Sequence, residues 1–381
     1  MKGKLIMGFA VAMLLVAMPS MVYGGGMSAH GDMGVMFGGF NYSSGYANGT
    51  FVDFKIDPAT GEVSNYEVNS TVVFKSVEYE NSTTGKITVK GPVIWYYGVG
   101  TKINWSNHNP GFESMWRFIH IHDNPAAVFH IVVYGEDTIT YTLGDGITAD
   151  KVGNHTIELS GAMNGALIYT GKARIENGKI MITLGDRNYE FGNYTYRGGS
   201  VIFIRTHAWK FSERVRNKIM AAIAEGKMGG EIRISGSGED FVNYTYGFHA
   251  KVEMHEKNRI RLRVDSDNHE GKVMMITVNR EDLQYDENHR IVVKLDGKEL
   301  KYTSDSEVLA GGNEGKYTVI NGTSEVTVLV YIPHFSEHEV DVSSEPKSIS
   351  TEIMGNPMYM GAIIAVILLV IIAIVAIIKR R

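Results

Sequence analysis

The feature that most constrains this chain is an uncharged stretch near its carboxyl end. Met358–Ile378 holds 21 residues without a charged side chain, and three basic residues, 379–381, follow at once. A helix needs about 20 apolar residues to cross a bilayer, whereas a core helix of that length normally keeps a polar stripe. We therefore predict a transmembrane helix over residues 357–378. The basic residues 379–381 would form a cytoplasmic tail, because such residues stay on that side of the membrane.

The amino end has the pattern of a secretory signal peptide. Lys2 and Lys4 precede an apolar run from Leu5 to Met18, and small residues follow up to Gly24. A charged start, a short apolar run and small residues at a cleavage point define such a signal. An uncleaved anchor is the alternative, but the run is short for a span at ~1.5 Å per residue. We predict a signal peptide over residues 1–24.

The charge between these two ends is acidic. The whole chain carries −5, and the two leader lysines and three tail cations account for five positive charges, which leaves −10 for residues 25–357. Phosphate binding needs a basic face, so nucleic acid is not expected as a partner. We expect a single-pass protein of the cell membrane, with the bilayer as one partner and residues 25–356 outside the cell.

Asn-x-Ser/Thr triplets occur more often than composition explains. Nine are present, whereas 23 asparagines would give roughly three by chance. The excess predicts N-glycosylation on an exported surface. The nine asparagines are Asn41, Asn48, Asn69, Asn81, Asn104, Asn154, Asn193, Asn243 and Asn321.

Cysteine is absent from the chain. Exported domains in oxidising surroundings usually carry disulfides. Because this chain has no cysteine, its fold must be stable without them. The absence also excludes a thiol nucleophile or a Cys-based metal site.

Periodicity divides the exported part into regions. A Gly- and Met-rich arm covers residues 25–39, and short apolar runs with turn signals fill 40–210, as in a sandwich or barrel. Asn177-Gly178 predicts a type I′ hairpin turn. Helical spacing then indicates one amphipathic helix within 211–228, beginning after Ser212.

A second β region follows the helix. About seven strands over residues 229–342 fit an immunoglobulin-like sandwich, and 343–356 reads as a polar stalk. The predicted fold is mainly β: two β-sandwich-like domains joined by one amphipathic helix, with an N-terminal signal peptide and a C-terminal transmembrane helix.

Two segments resemble known proteins. "VLVYIPHFSEHEVDV", followed by a stalk and a membrane helix, and "HDNPAAVFHIVVYG" with the residues after it are similar to archaeal cell-surface proteins. The resemblance implies a surface location and an immunoglobulin-like module next to the membrane. It implies no activity and no catalytic residues.

Three histidines in "FIHIHDNPAAVFH" are the candidate site. If two strands flank the Asp-Asn-Pro turn and His122 faces Val128, then His120 faces His130, and the three imidazoles share one sheet face. Such a set could bind Zn or Cu. A one-residue change of register would separate the imidazoles, and ordinary structural histidines are the favoured interpretation.

Motifs for nucleophilic or phosphate chemistry are missing from the sequence. We therefore expect a structural, adhesive or ligand-binding role, with envelope glycans or surface proteins as partners and no cofactor. The alternative is an extracellular metal-binding protein or metalloenzyme that uses His120, His122 and His130. A hydrolase with unrecognised carboxylates is a third hypothesis.

Overall fold

The computed structural model describes most of the predicted exported part. Its described residues are 36–100, 116–185, 187–191, 194–206, 211–236, 238–245, 247–267, 269–322 and 324–347. The predicted signal peptide, most of the Gly/Met-rich arm and the predicted transmembrane helix lie outside them. Within these ranges, no helix has the length and apolar character needed to cross a membrane.

Strands dominate the described residues, so the mainly β prediction is confirmed. The strands before the helix are β1 Asn41–Ser43, β2 Tyr46–Asn48, β3 Val52–Ile56, β4 Val63–Val68, β5 Thr71–Tyr79, β6 Thr84–Lys90, β7 Val93–Val99, β8 Trp116–His122, β9 Phe129–Tyr134, β10 Asp137–Leu143, β11 Ile147–Lys151, β12 Thr156–Gly161, β13 Gly165–Tyr169, β14 Lys172–Glu176, β15 Lys179–Leu184, β16 Arg187–Phe191 and β17 Tyr194–Ile204.

These strands form two antiparallel sheets. Sheet A has the order β1-β2-β3-β4-β5-β10-β15-β14, and sheet B has the order β11-β12-β13-β17-β9-β8-β7-β6, with β16 also paired to β17. One core cluster contains buried residues of both sheets, so A and B pack face to face. Strand β3 shows the reason: Val52, Phe54 and Ile56 are buried, and Lys55 between them is exposed, because side chains alternate across a strand.

One predicted hairpin is confirmed in detail. Strands β14 and β15 pair in the register expected for a two-residue turn. Asn177 and Gly178 occupy that turn with φ of 50° and 72°, which is the left-handed backbone that a type I′ turn requires.

The helix and the second β region follow. The elements are α1 Glu213–Ala224, β18 Met228–Ser235, β19 Gly238–Asn243, β20 Phe248–Glu256, β21 Arg259–Ser266, β22 Glu270–Asn279, β23 His289–Leu295, β24 Lys298–Glu299, β25 Lys301–Tyr302, α2 Asp305–Ala310, β26 Lys316–Asn321, β27 Glu325–His334 and β28 His338–Pro346.

The second region has more strands than the seven expected from its turn signals. In the described part, sheet C has the order β19-β18-β22-β27-β26-β25 and sheet D the order β20-β21-β28-β23-β24. Two pairs in sheet C, β18 with β22 and β25 with β26, are parallel. Sheets C and D share a second core cluster. Strand β28 continues into the segment predicted as a stalk, because Ser343 pairs with both β21 and β23.

Helix α1 lies where the two sheet pairs meet. It begins directly after Ser212, as predicted, and buries Ile219, Ala222 and Ile223. A third apolar cluster joins these side chains to Ile202 and other residues of sheet B and to Met275 and other residues of sheet C. All described residues belong to one compact unit. This contact region between sheets B and C is the junction.

Candidate functional site

The three candidate histidines lie on the face of sheet B that points away from its core. His120 pairs with His130 across β8 and β9, and the His122 N–H donates to the Val128 carbonyl over 2.9 Å. This is the register predicted from the turn. The opposite face carries Ile119, Ile121, Phe129, Ile131 and Val133, which belong to the first core, as predicted.

His122 forms a hydrogen-bonded bridge across the junction. Asp240 Oδ1 accepts a hydrogen bond from His122 Nδ1 at 2.9 Å, and Asp240 Oδ2 accepts one from Asn124 Nδ2 at 2.8 Å. All three side chains are buried. A buried carboxylate is costly unless it is paired, so each oxygen of Asp240 uses a donor supplied by the other side of the junction. The bridge ties sheet B to sheet C.

A second set of buried charges lies beside this bridge on sheet C. Arg233 pairs with Asp240 across β18 and β19, and its guanidinium lies 2.7 Å from Glu231 Oε1. Glu231 Oε2 accepts a hydrogen bond from the Tyr244 hydroxyl at 2.8 Å. Burial acts to lower the pKa of Arg233, but Glu231 and the neighbouring acidic groups outweigh it and raise the pKa. Arg233 is therefore the cation that pairs with Glu231, and its charge also acts on Asp240.

His130 has a different environment from His122. It is buried, and neither of its ring nitrogens has a hydrogen-bond partner of ordinary geometry among the described residues, although the Asn243 backbone lies close to the ring. Burial, with a contribution from His122, lowers the pKa of His130 to about 3, and the Asn243 backbone opposes this in part. Burial and the other two imidazoles also lower the pKa of His120 well below its usual value. Both rings are therefore neutral at pH 7.

The three imidazoles are engaged in ring packing and hydrogen bonding. The His120 and His130 rings are 5.8 Å apart between centroids, and the His120 ring packs 3.7 Å from that of Trp95. His122 Nδ1 is occupied by Asp240. Among the described residues, no group of three or more His, Asp or Glu side chains is placed to hold a metal ion. The arrangement acts as a packed and hydrogen-bonded joint.

Asp123 has a role that its position in a turn did not reveal. Its carboxylate accepts backbone hydrogen bonds from Thr50 and Phe51, both at 2.7 Å, and from Val52 at 3.2 Å. A Cβ added at Gly49 would lie 2.5 Å from this carboxylate. The turn that follows strand β8 in sheet B therefore also fixes the loop between β2 and β3 in sheet A.

Sequence analysis missed the sheet C side of the junction. In "EIRIS", Glu231 and Arg233 alternate with Ile232 and Ile234, which is the pattern of a strand with one face in water. The apolar face does lie in the second core, but the charged face lies against sheet B. Alternation identifies which residues share a face and says nothing about what covers it.

The predicted glycosylation sites differ in exposure. Asn41, Asn48, Asn69, Asn154 and Asn321 are exposed, whereas Asn81 and Asn243 are half-buried. The side chains of Asn104 and Asn193 lie outside the described residues.

Removing the Asp240 carboxylate should destabilise the protein strongly. We expect Asp240→Ala to lower the free energy of unfolding by about 3 kcal/mol, because His122 and Asn124 keep buried donors without an acceptor. Chemical denaturation at pH 7 measures the change. Asp150→Ala, at an exposed position, is the matched control and should change stability by less than about 0.5 kcal/mol. Equal effects of the two substitutions would contradict the structural role of Asp240.

Acid should weaken the fold through the buried imidazoles. The pKa of His130 is about 3 in the folded chain against 6.5 for the free side chain, so the unfolded chain binds a proton first as the pH falls. The contribution of neutral His130 to the free energy of unfolding is complete above pH 6.5 and is lost progressively toward pH 3. At pH 5 the loss from His130 is about 2 kcal/mol. Unfolding at pH 7 and pH 5 should show that His130→Leu reduces this loss. The exposed control His249→Leu should leave it unchanged, and an unaltered pH slope in His130→Leu would refute the assignment.

Known proteins resemble parts of this chain. Residues 214–356 match a family described as the MAST domain, and no curated protein matches. The crystal structure of the N-terminal domain of the Streptococcus gordonii adhesin Sgo0707 is similar over 84% of this chain and 84% of that chain, with 11% sequence identity and a TM-score of 0.18. The MAST match covers most of α1 together with sheets C and D, and it leaves sheets A and B outside.

Proposed function

We propose that this protein is a membrane-anchored, N-glycosylated cell-surface ectodomain with a structural, adhesive or ligand-binding role. The observation that carries the proposal is that Asn-x-Ser/Thr asparagines lie exposed on a β-rich fold whose chain also contains an uncharged stretch of 21 residues. Such a stretch is long enough to span a bilayer, and exposed asparagines of this kind suit the exterior of a cell.

Contacts between the two sheet pairs support a structural role. In the proposal, sheets A and B form one sandwich-like domain, and sheets C and D form a second one nearer the membrane, with α1 between them. The side chains of His122 and Asn124 pair with Asp240 across the junction, so these three groups hold the two parts together. The resemblance to archaeal surface proteins and to their immunoglobulin-like module belongs to the same proposal.

The proposed partners follow from surface chemistry. Residues 25–357 carry a charge of −10 once the leader and tail charges are set apart, and an acidic surface repels polyanions. Envelope glycans and other surface proteins are the partners we propose, together with the lipid bilayer.

Fractionation of cells tests the membrane anchor. We expect the full chain in the membrane fraction, released only by detergent, and digested by protease added outside intact cells. A stop codon after residue 356 should release the protein into the medium, because the apolar stretch is lost. A stop codon after residue 378 removes only the basic tail and should leave most of the protein in the membrane. A full-length chain that is soluble in the cytosol and carries no saccharide would overturn the proposal.

The alternative function, metal binding through His120, His122 and His130, has one supporting observation, their common sheet face. It would require His122 to leave Asp240 or to bind through its other nitrogen. Metal analysis of the purified ectodomain tests it. A stoichiometric Zn or Cu ion that is lost in both His120→Ala and His130→Ala would support a metal site, and a metal-free protein would eliminate it.

A further inference from the structure

We infer that the folded chain selects among its own glycosylation motifs: Asn81 and Asn243 are closed to modification, and the exposed asparagines are open. The inference rests on the proposed function, since it presumes that the chain meets the glycosylation machinery. In that reaction the asparagine Nδ2 forms a bond to the anomeric carbon of a saccharide carried on a lipid phosphate. The bond from that carbon to the phosphate oxygen breaks, the lipid phosphate leaves, and Nδ2 gives up one proton. An acceptor asparagine must therefore present a free Nδ2 and space beside it.

Asn81 has no free Nδ2. The amide nitrogen donates to the Glu136 carbonyl at 2.9 Å and to Asp137 Oδ1 at 3.3 Å, so both of its hydrogens are used. The Asn81 backbone N–H also donates to Asp137 Oδ1, at 3.0 Å. Attachment of a sugar would remove one amide hydrogen and place a saccharide against the strand β10.

The threonine of the same motif is buried as well. Thr83 Oγ1 lies 3.0 Å from the Tyr96 hydroxyl and accepts a hydrogen bond from Arg117 at 3.1 Å. The hydroxyl two residues after the asparagine is part of the recognised motif, and here it is enclosed within the first sheet pair. The triplet therefore has an engaged Nδ2 at one end and a buried threonine hydroxyl at the other.

A buried ion pair keeps this segment in place. The Arg117 guanidinium pairs with Asp137 and donates to the Asn81 carbonyl at 2.6 Å. The same guanidinium stacks 3.6 Å from the centre of the Tyr79 ring. Breaking a buried ion pair leaves an uncompensated charge in the interior, so the segment does not open readily to expose Asn81.

Asn243 is closed by a contact between strands β19 and β20. Its Nδ2 donates to the Phe248 carbonyl at 2.8 Å, and the Thr245 hydroxyl donates to the Met228 carbonyl at 2.7 Å. Val242 and Tyr244 on either side are buried in the apolar cluster of the junction. A saccharide at Asn243 would compete with the hydrogen bond from its Nδ2 to Phe248 of strand β20.

The open positions share a different geometry. Asn41 and Asn48 are opposite each other on the hairpin of β1 and β2, and both are exposed. Asn69 occupies the turn between β4 and β5 with φ of 47°. Asn154 lies in the loop between β11 and β12, and Asn321 is the exposed last residue of β26. Each of these residues is exposed, and the hydrogen bond that Asn321 accepts from Arg280 uses its Oδ1 and not its Nδ2.

Glycopeptide mass spectrometry of the full chain, purified from the membranes of a host with N-glycosylation, tests the inference. We expect occupancy at Asn81 and Asn243 to be about tenfold or more below that at the exposed positions, because modification must break existing hydrogen bonds. Thr71→Val should remove one saccharide, at Asn69, and the matched Thr83→Val should leave the total saccharide mass unchanged. A synthetic peptide that carries residues 76–90 should accept a saccharide at Asn81, since the fold and not the local sequence closes the site.

The outcomes separate the inference from the proposed function. Equal occupancy at Asn81 and at the exposed asparagines would overturn the inference and leave the surface location intact. A peptide that fails as an acceptor would also overturn it, because the local sequence would then explain the vacancy at Asn81. A chain without saccharide at any position would contradict the glycosylated surface protein itself.

Discussion

The two hydrogen bonds that Asp240 accepts from His122 and Asn124 join the halves of this molecule. They are buried, so water cannot replace either donor, and Arg233 lies opposite Asp240 on the neighbouring strand. Apolar contacts supply most of the free energy that holds packed elements together. A buried polar group is stable only in the arrangement that provides its hydrogen-bond partners. The junction therefore has one defined geometry, and helix α1 fills the space beside it.

Local sequence patterns predicted the elements that depend on nearby residues. The alternation around the Asp-Asn-Pro turn gave the register of His120 against His130, and Asn177-Gly178 gave a hairpin with the expected backbone angles. Both depend on interactions within a few residues, where turn chemistry and alternation are strong constraints. The helix over Glu213–Ala224 was found for the same reason, since its apolar spacing is visible in one short segment.

Pairing between strands that are distant in the chain could not be predicted from the sequence. The parallel contact between β18 and β22 brings together strands separated by three others, so no turn signal records it. The charged positions of β18 illustrate the same limit for the site. Glu231 and Arg233 have the pattern of a solvated face, and only the position of sheet B makes that face interior. Asp123 anchors the loop at Thr50, which is distant in the chain. No pattern in the residues around Asp123 indicates this contact.

The way α1 and the buried bridge share one interface has a mechanical consequence. The apolar cluster and the Asp240 hydrogen bonds shield each other from water, so neither can be lost gradually while the other persists. A tension applied between the two sheet pairs meets a short, stiff connection that holds its length and then fails in a single step. Stiffness of this kind passes a force from one sheet pair to the other with little stretching in between.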